Sequence, residues 1–352
     1  TEQTGFTNVE TTSWAVFTEW DVDFAENWTA SFGARYDNEK KEYSTGSNSI
    51  SPNTLPTPLG APYGSAGIGA VTLDSIISIA NSQLASYTQS VPETDKRKNF
   101  NNILPHAGIT YRWNEDVTTS FFAKKSYRSG GSELTLLHGV NDFDQEELWN
   151  YELALRSELL DGRGLLNANI YYSDWKDQQV KIQELGTSSS AYTITENSGR
   201  SELYGAELSF DYILTETLDL YLGGALSNTE YKDFKSADGS NDYSGNEFTF
   251  APKHTAMTGL NYQSFNGFFL NTSMNYQGKS YSDVANEKEL SARTLVNING
   301  GYEIQDLKLE VYVKNVFDRT YANHNNLQAA NGTPAVRMGD PRVIGARATY
   351  NF

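Results

Sequence analysis

The sequence has no cysteine, only 3 methionines, 4 histidines and 9 prolines in 352 residues, and no long apolar run. Without cysteine there is no disulfide scaffold, no thiol nucleophile and no thiolate metal site, and the chain suits an oxidising compartment where stray thiols are a liability. No stretch approaches the roughly 18 to 20 consecutive apolar residues that a spanning helix needs. Basic residues are also scarce: 27 Lys and Arg stand against 44 Asp and Glu, a formal net charge of -17. Neutralising phosphates requires a dense basic stripe, so nucleic acid is not an expected partner.

Rings and alternation are what the chain has in quantity. Twenty-two Tyr, 17 Phe and 6 Trp are far too many for a solvated, disordered chain. Trp14, Val16, Trp20, Val22 and Phe24 share one parity and Glu19, Asp21 and Asp23 the other, with Phe17 and Thr18 as imperfections. Trp28, Ala30, Phe32, Ala34 and Tyr36 repeat the pattern, and near the end Leu307, Leu309, Val311 and Val313 oppose Lys308, Glu310, Tyr312 and Lys314. Such period-two patterning reads as strands with one apolar face. About thirteen strands are expected, starting near residues 12, 28, 99, 117, 147, 165, 191, 218, 252, 268, 293, 307 and 337.

The connections take turns between two kinds. Short ones fall at 25–27, 114–116, 161–164, 215–217, 265–267 and 305–306; long ones run over roughly 45–96, 129–146, 184–190, 235–250, 284–291 and 324–336 and are rich in Gly, Ser, Asn and Asp. Short turns on one rim and long loops on the other, between strands that are apolar outward and polar inward, is the pattern of an outer-membrane barrel. Trp28, Trp113, Trp149 and Tyr350 fall near strand ends, where aromatic belts sit. A one-residue slip in the 307–314 segment would turn Lys308 and Lys314 to lipid at about 2 to 4 kcal/mol each near the midplane. In the first long loop, "LDSIISIANSQLASY" carries Leu73, Ile76, Ile77, Ile79 and Leu84 at helical spacing, which predicts a short helix packed within that loop.

Thirteen is odd, so in an antiparallel meander the first and last strands run the same way and cannot close on each other. An open edge in lipid leaves a row of unsatisfied backbone groups at several kcal/mol each. The expectation is therefore a C-terminal part of a larger barrel, completed by strands not contained in this chain.

Six stretches carry a resemblance: "FGARYDNEKK" (32–41), "SYRSGG" (126–131), "YELALRSELLDGRGLLNANIYYSDWKDQQV" (151–180), "ENSGRSELYGAELSF" (196–210), "VKNVFDRTY" (313–321) and "GDPRVIGARATYNF" (339–352). In order and spacing they resemble the C-terminal barrel half of TonB-dependent outer-membrane receptors. The resemblance implies a transmembrane antiparallel β-barrel of 22 strands, with residues 1–352 supplying the last thirteen and no plug domain. It further implies import of a scarce large nutrient, an iron–siderophore complex being the commonest cargo, energised through TonB by way of the plug. The implied partners are the TonB complex, a ferric siderophore, outer-membrane lipid and the β-barrel assembly machinery. Ile344, Ala346, Ala348, Tyr350 and Phe352 share one parity and resemble the C-terminal signal that this machinery reads.

No resident cofactor, metal site or catalytic residue is expected. His106, His138, His254 and His324 form no pair at ligand spacing and no nucleophile-elbow pattern is present. His106 falls on the polar parity, and His138 and His324 in long loops; the acidic run "DFDQEE" (142–147) lacks a calcium-loop spacing. For substrate capture the candidates are Tyr127 and Arg128 at the top of a strand, with Trp149 and Tyr192 nearby, because aromatic and guanidinium groups suit large planar or anionic chelates. Each has a plainer reading as a belt ring or a paired lumen charge. Gly339 and Gly345 read as positions that need little side chain. A passive diffusion channel and an outer-membrane enzyme are the competing functions, and a soluble β-sandwich the competing fold.

Overall fold

The computed structural model describes residues 2–50, 57, 59–60, 67–68, 71–87, 90–135, 139–183, 193–236, 239–328 and 334–351. Thirteen strands form one antiparallel sheet in strict chain order. They are β1 (Glu2–Ala25), β2 (Trp28–Ile50), β3 (Val91–Arg112), β4 (Val117–Arg128), β5 (Glu146–Leu159), β6 (Gly164–Lys176) and β7 (Arg200–Thr215). The sheet continues with β8 (Leu218–Asp233), β9 (His254–Gln263), β10 (Phe268–Gln277), β11 (Arg293–Ile304), β12 (Leu307–Lys314) and β13 (Val343–Tyr350). Within the sheet β1 pairs with β2 alone and β13 with β12 alone, and as first and last of thirteen these two edges run in the same direction.

Hydrogen-bonded register turns the sequence alternation into two continuous faces. Val22, Ala30, Ile109, Phe121, Leu153, Ile170, Ala206 and Leu226 lie side by side across β1 to β8. Leu220, Leu260, Thr272, Ile298, Val313 and Ile344 carry the apolar row on from β8 to β13. One residue along, the opposite face reads Asp21, Ser31, Gly108, Phe122, Glu152, Tyr171, Gly205 and Ser227, and then Asp219, Asn261, Asn271, Asn299, Tyr312 and Gly345. On β8 the apolar row steps from Leu226 down to Leu220, the stagger that strands tilted within a barrel wall require. Aliphatic side chains on this outward face stay exposed: Val16 is 65% exposed, Val311 58% and Ile344 68%. Their partner is hydrocarbon, and the wall is that of a transmembrane β-barrel.

The polar face has its own packing device. Six ring-bearing residues lie across a glycine directly opposite on the next strand: His106 on Gly33, Phe122 on Gly108, Tyr171 on Gly205, Tyr221 on Gly259, Phe269 on Gly301 and Tyr312 on Gly345. A methyl group at any of these glycines would collide with the ring or with the neighbouring backbone. The flat rings cover backbone that would otherwise be bare, and Tyr221 reaches on to donate to the Thr272 carbonyl on β10 at 3.2 Å. Gly339 plays the same part beneath Tyr321.

Several strand starts differ from the sequence expectation. The segments near 191 and 337 are not wall strands but the returning arms of loop hairpins, Gln179–Gln183 with Thr193–Asn197 and Ala322–Gln328 with Pro334–Met338. Alternation cannot tell a wall strand from a hairpin arm beyond the membrane; here the break is conformational, with Asp177 at φ 53° and Ser198–Gly199 interrupting the ladder. The expected helix spans Leu73–Tyr87, with Thr72 and Ser75 capping its first turn through reciprocal bonds of 2.8 and 3.2 Å. Leu73, Ile76 and Ile79 on it are exposed.

Replacing Val311 by Lys in the outward row is expected to cost about 2 to 4 kcal/mol near the midplane, read as a lower midpoint in urea unfolding from lipid vesicles. Gly345→Val is expected to lower the midpoint as well by displacing Tyr312, and Gly345→Val with Tyr312→Ala to recover part of the loss.

Candidate functional site

A strand needs about 9 to 11 residues to cross the hydrocarbon, whereas β1, β2 and β3 have 24, 23 and 22. Their ends at the long-loop rim stand beyond the membrane, and the next hairpin, Gly131–Thr135 with Gly139–Phe143, folds onto them. Tyr43 Oη donates to the Gly130 carbonyl at 3.3 Å, Lys98 Nζ to the Gly131 carbonyl at 2.9 Å, and Lys96 Nζ meets Asp142 Oδ2 at 2.5 Å. Partial burial raises the Asp142 pKa, but hydrogen bonds from Lys96 and Ser132 and the charges of Lys98 and Lys96 outweigh it and leave the carboxyl below its ordinary range.

Arg128 sits where β4 ends. Its guanidinium grips the buried Glu146 carboxylate at 2.9 and 3.0 Å, and Glu146 also accepts the Gln179 amide N–H at 2.6 Å. A third Arg128 bond reaches the Gln179 carbonyl at 3.3 Å. The arginine therefore ties β4 to β5 and to the 179–197 hairpin in a two-pronged ion pair. Tyr127 Oη lies 3.5 Å from Glu39, which accepts Ser129 Oγ at 2.9 Å and pairs with Lys41 at 3.1 Å. Trp149 departs from the expectation of a mouth residue. It stacks on Tyr151 with ring centroids 6.2 Å apart, and Tyr151 stacks on Tyr172, so it continues an outward belt. The parity of β5 decides this, since Trp149, Tyr151 and Leu153 must share a face. Tyr192, His138 and Phe352 lie outside the described residues. Ile344, Ala346, Ala348 and Tyr350 all lie on the outward face, opposite Val313, Val311, Leu309 and Leu307.

His106 faces the polar side with Nε2 3.5 Å from Glu19 Oε1. His324 stands in the last loop hairpin against the Phe250 ring at 5.4 Å, where burial and then the Arg337 charge hold its pKa below the ordinary imidazole value. Among the described residues no group of three or more His, Asp or Glu is placed to hold a metal ion.

Sequence reasoning missed two parts of the site. The first is an apolar cluster at the long-loop rim, formed by Val180, Ile182, Tyr231, Phe234, Phe248 and Val284 from four separate segments, with Phe234 wholly buried. A signal existed: Val180 and Ile182 keep alternating just ahead of the polar 184–190 connection, past Lys176 where β6 ends. The second is a concavity of about 840 Å³ on the polar face below this cluster, where Glu152, Arg156, Asn169, Glu207, Gln277 and Arg293 converge from different strands. Arg293 lies over the Tyr321 ring at 4.7 Å and donates to the Ala322 carbonyl at 3.1 Å; Asn169 donates to Glu152 at 3.1 Å. Mixed amides and charges of both signs suit hydrated polar surfaces and solutes. They do not assemble a nucleophile with a base.

The chain matches the family described as TonB dependent receptor-like, beta-barrel, over residues 2–316. It is 28% identical over 269 residues to the metal-pseudopaline receptor CntO of Pseudomonas aeruginosa, covering 74% of this chain and 35% of that protein. It is 23% identical over 267 residues to the pesticin receptor of Yersinia pestis, covering 73% and 37%. The crystal structure of the ferric yersiniabactin uptake receptor FyuA from Yersinia pestis superposes with a TM-score of 0.73 at 18% identity, over 99% of this chain and 47% of that one. The siderophore receptor PiuA from Acinetobacter baumannii gives 0.68 at 18% identity, over 97% and 44%. The chain thus spans between about a third and a half of the length of these relatives.

Arg128→Ala leaves the buried Glu146 carboxylate without its two guanidinium donors, a loss of about 3 kcal/mol; amide exchange at 144–147 and 179 is expected to accelerate tenfold or more, and removing Glu146 as well to restore part of the protection. The depressed Asp142 pKa stabilises the 131–143 hairpin at any pH above the ordinary carboxylate value and stops doing so as pH falls through the lower folded value. The pair is partly exposed and worth at most about 1 kcal/mol, so protection factors in 131–135, which remove the intrinsic pH dependence of exchange, should be unchanged from neutral pH down to the ordinary carboxylate range and fall only below it, whereas Asp142→Asn should show the lower protection already at neutral pH.

Proposed function

This chain belongs to the TonB-dependent receptor β-barrel family, and we propose that it is the C-terminal barrel portion of a receptor that imports a ferric siderophore, energised through TonB. Members of the family are outer-membrane proteins of Gram-negative bacteria and work as transport receptors, not enzymes. The observation that carries the reading is the register itself: one apolar and one polar face run through all thirteen strands, each row stepping once on β8, beneath a rim of long packed loops. Relatives named for metal-pseudopaline and siderophore recognition, and a structural neighbour named as a ferric yersiniabactin uptake receptor, support a chelated metal as cargo.

On this reading both sheet edges meet further strands, and an odd number of them completes an antiparallel barrel around a plug. Tyr127 and Arg128 meet the incoming chelate, Arg128 through the carboxylate it already holds, Tyr192 is kept from the sequence as a further candidate contact, and Trp149 anchors the wall in the headgroup layer. The row Ile344, Ala346, Ala348, Tyr350 and Phe352 is the signal for the assembly machinery. The wall's outward face contacts outer-membrane lipid.

Deleting the gene from its host and measuring radio-iron uptake from a panel of ferric siderophores tests the proposal. Uptake of one chelate is expected to fall at least tenfold, to return with the full-length gene, and to be abolished by dissipating the proton gradient or removing TonB. Unchanged uptake across the panel, or uptake that survives loss of TonB, overturns it; a steady current through the purified full-length protein in a planar bilayer would favour a passive channel.

A further inference from the structure

We propose that the outward face of β6 to β10 holds one seated membrane lipid, phosphatidylethanolamine in type: an acyl chain fills an apolar hollow in the wall, and a headgroup carrying both a phosphate and an ammonium docks on an ion network directly above. The site lies wholly on the lipid-facing wall, apart from the lumen and its cargo. Small residues interrupt the outward rows at Ala206, Gly224 and Ala256, with Gly224 between Leu208 and Ala256, and Ala206 beside Leu226. Between Leu208, Leu226 and Tyr276 they leave an apolar concavity of about 640 Å³. Where six other wall glycines each lie under a ring, a Cβ at Gly224 would meet, among the described residues, only the Thr255 carbonyl at an ordinary 3.5 Å. The protein does not fill this hollow itself, and an unfilled hollow forfeits the dispersion contacts its walls could make.

On the same strands, toward the long-loop rim, the outward face turns ionic. Tyr172 and Tyr204 stand opposite each other on β6 and β7, and beyond them Asp174, Arg200, Glu202, Lys232 and Glu230 form a chain of alternating charges across three strands. Arg200 meets Asp174 at 2.8 Å and Glu202 at 3.1 Å, and Lys232 meets Glu202 at 3.5 Å and Glu230 at 2.7 Å. Tyr172 Oη donates to Glu202 at 3.1 Å. From Leu226 to Glu230 on β8 is about 13 Å along a strand and about 10 Å along the membrane normal at the tilt of a barrel wall. The hollow therefore lies in the hydrocarbon, the two tyrosines at its edge and the network among the headgroups, all in line.

Charge decides the occupant. Three carboxylates stand against two cations, so a lipid that is only anionic meets an acidic excess, whereas a headgroup of both signs matches the network. The phosphate takes charge-assisted bonds from Arg200 and Lys232, whose side chains stay 49% and 36% exposed, and the ammonium meets Glu230, 39% exposed, at the end of the chain of charges. Glu202, at 17%, is the hub that holds both cations in place. Groups already fixed in this way lose little conformational freedom on binding.

The full-length protein, extracted in mild detergent, is incubated with equal amounts of phosphatidylethanolamine, phosphatidylglycerol and lipid A and weighed by native mass spectrometry. One phosphatidylethanolamine per chain is expected to survive collisional activation, at about tenfold the abundance of either other lipid. Arg200→Ala with Lys232→Ala is expected to lower that adduct about tenfold by removing the phosphate contacts, and Gly224→Leu with Ala256→Leu to lower it as much by filling the hollow. Both pairs lie on the lipid-facing side, and heat-modifiable gel mobility checks that each variant is a folded barrel before it is weighed. Equal retention of the three lipids, a preference for phosphatidylglycerol or lipid A, a protein dimer in place of the adduct, or an adduct that either pair of substitutions leaves undiminished overturns the proposal.

Discussion

Everything in this chain depends on the obligation of a peptide group in hydrocarbon to find its hydrogen-bond partner within the protein. Water cannot supply it there, and a strand supplies it only through a neighbour. Thirteen strands in chain order meet the obligation with the simplest possible connectivity, each pairing with the one before and the one after. Once the ladders are formed, side chains have only two directions to point, and the composition of each direction is decided by what lies there. The outward rows are Val, Ile, Leu, Phe and Tyr with alanine between, and the inward rows are Asn, Ser, Asp, Glu and ring-covered glycine.

This arrangement inverts the usual place of a hydrophobic core. The wall's apolar residues are largely exposed to lipid and contribute through the membrane, with ring contacts such as Trp149 on Tyr151 added along the belt. The buried apolar cluster lies instead at the rim, beyond the membrane, where water restores the ordinary hydrophobic driving force. Tyr231 shows the change of regime along a single strand: β8 leaves the bilayer after its outward Leu226, and five residues later a tyrosine is 2% exposed, with burial raising its pKa. The rim is thus the part of this chain that folds like a soluble protein.

The residues that looked most like a ligand site separated once paired. Arg128 holds a buried carboxylate, Tyr127 leans toward a Glu39 that Ser129 and Lys41 already occupy, and Trp149 belongs to the outward belt. Aromatic and guanidinium groups serve a membrane protein in three settings, namely belt, ion pair and ligand contact, and residue type alone does not distinguish them. The six stretches from 32–41 to 339–352 therefore pointed to the family more readily than residue type pointed to the site.

Alternation at Trp14 to Phe24 and at Leu307 to Val313, and the two kinds of turn, are local properties, and they determined the fold class, the strand number and the outward face from sequence alone. The period of a strand is two whatever surrounds it, so parity survives without knowledge of neighbours. Tertiary structure decided what depends on neighbours: that 193–197 and 334–338 are arms of loop hairpins, that Tyr312 covers Gly345, that Val180 meets Phe234 and Val284, and that Arg128 faces Glu146. Those partners are brought together only when the ladders fix the register, and a side chain's environment is set by what the register places opposite it.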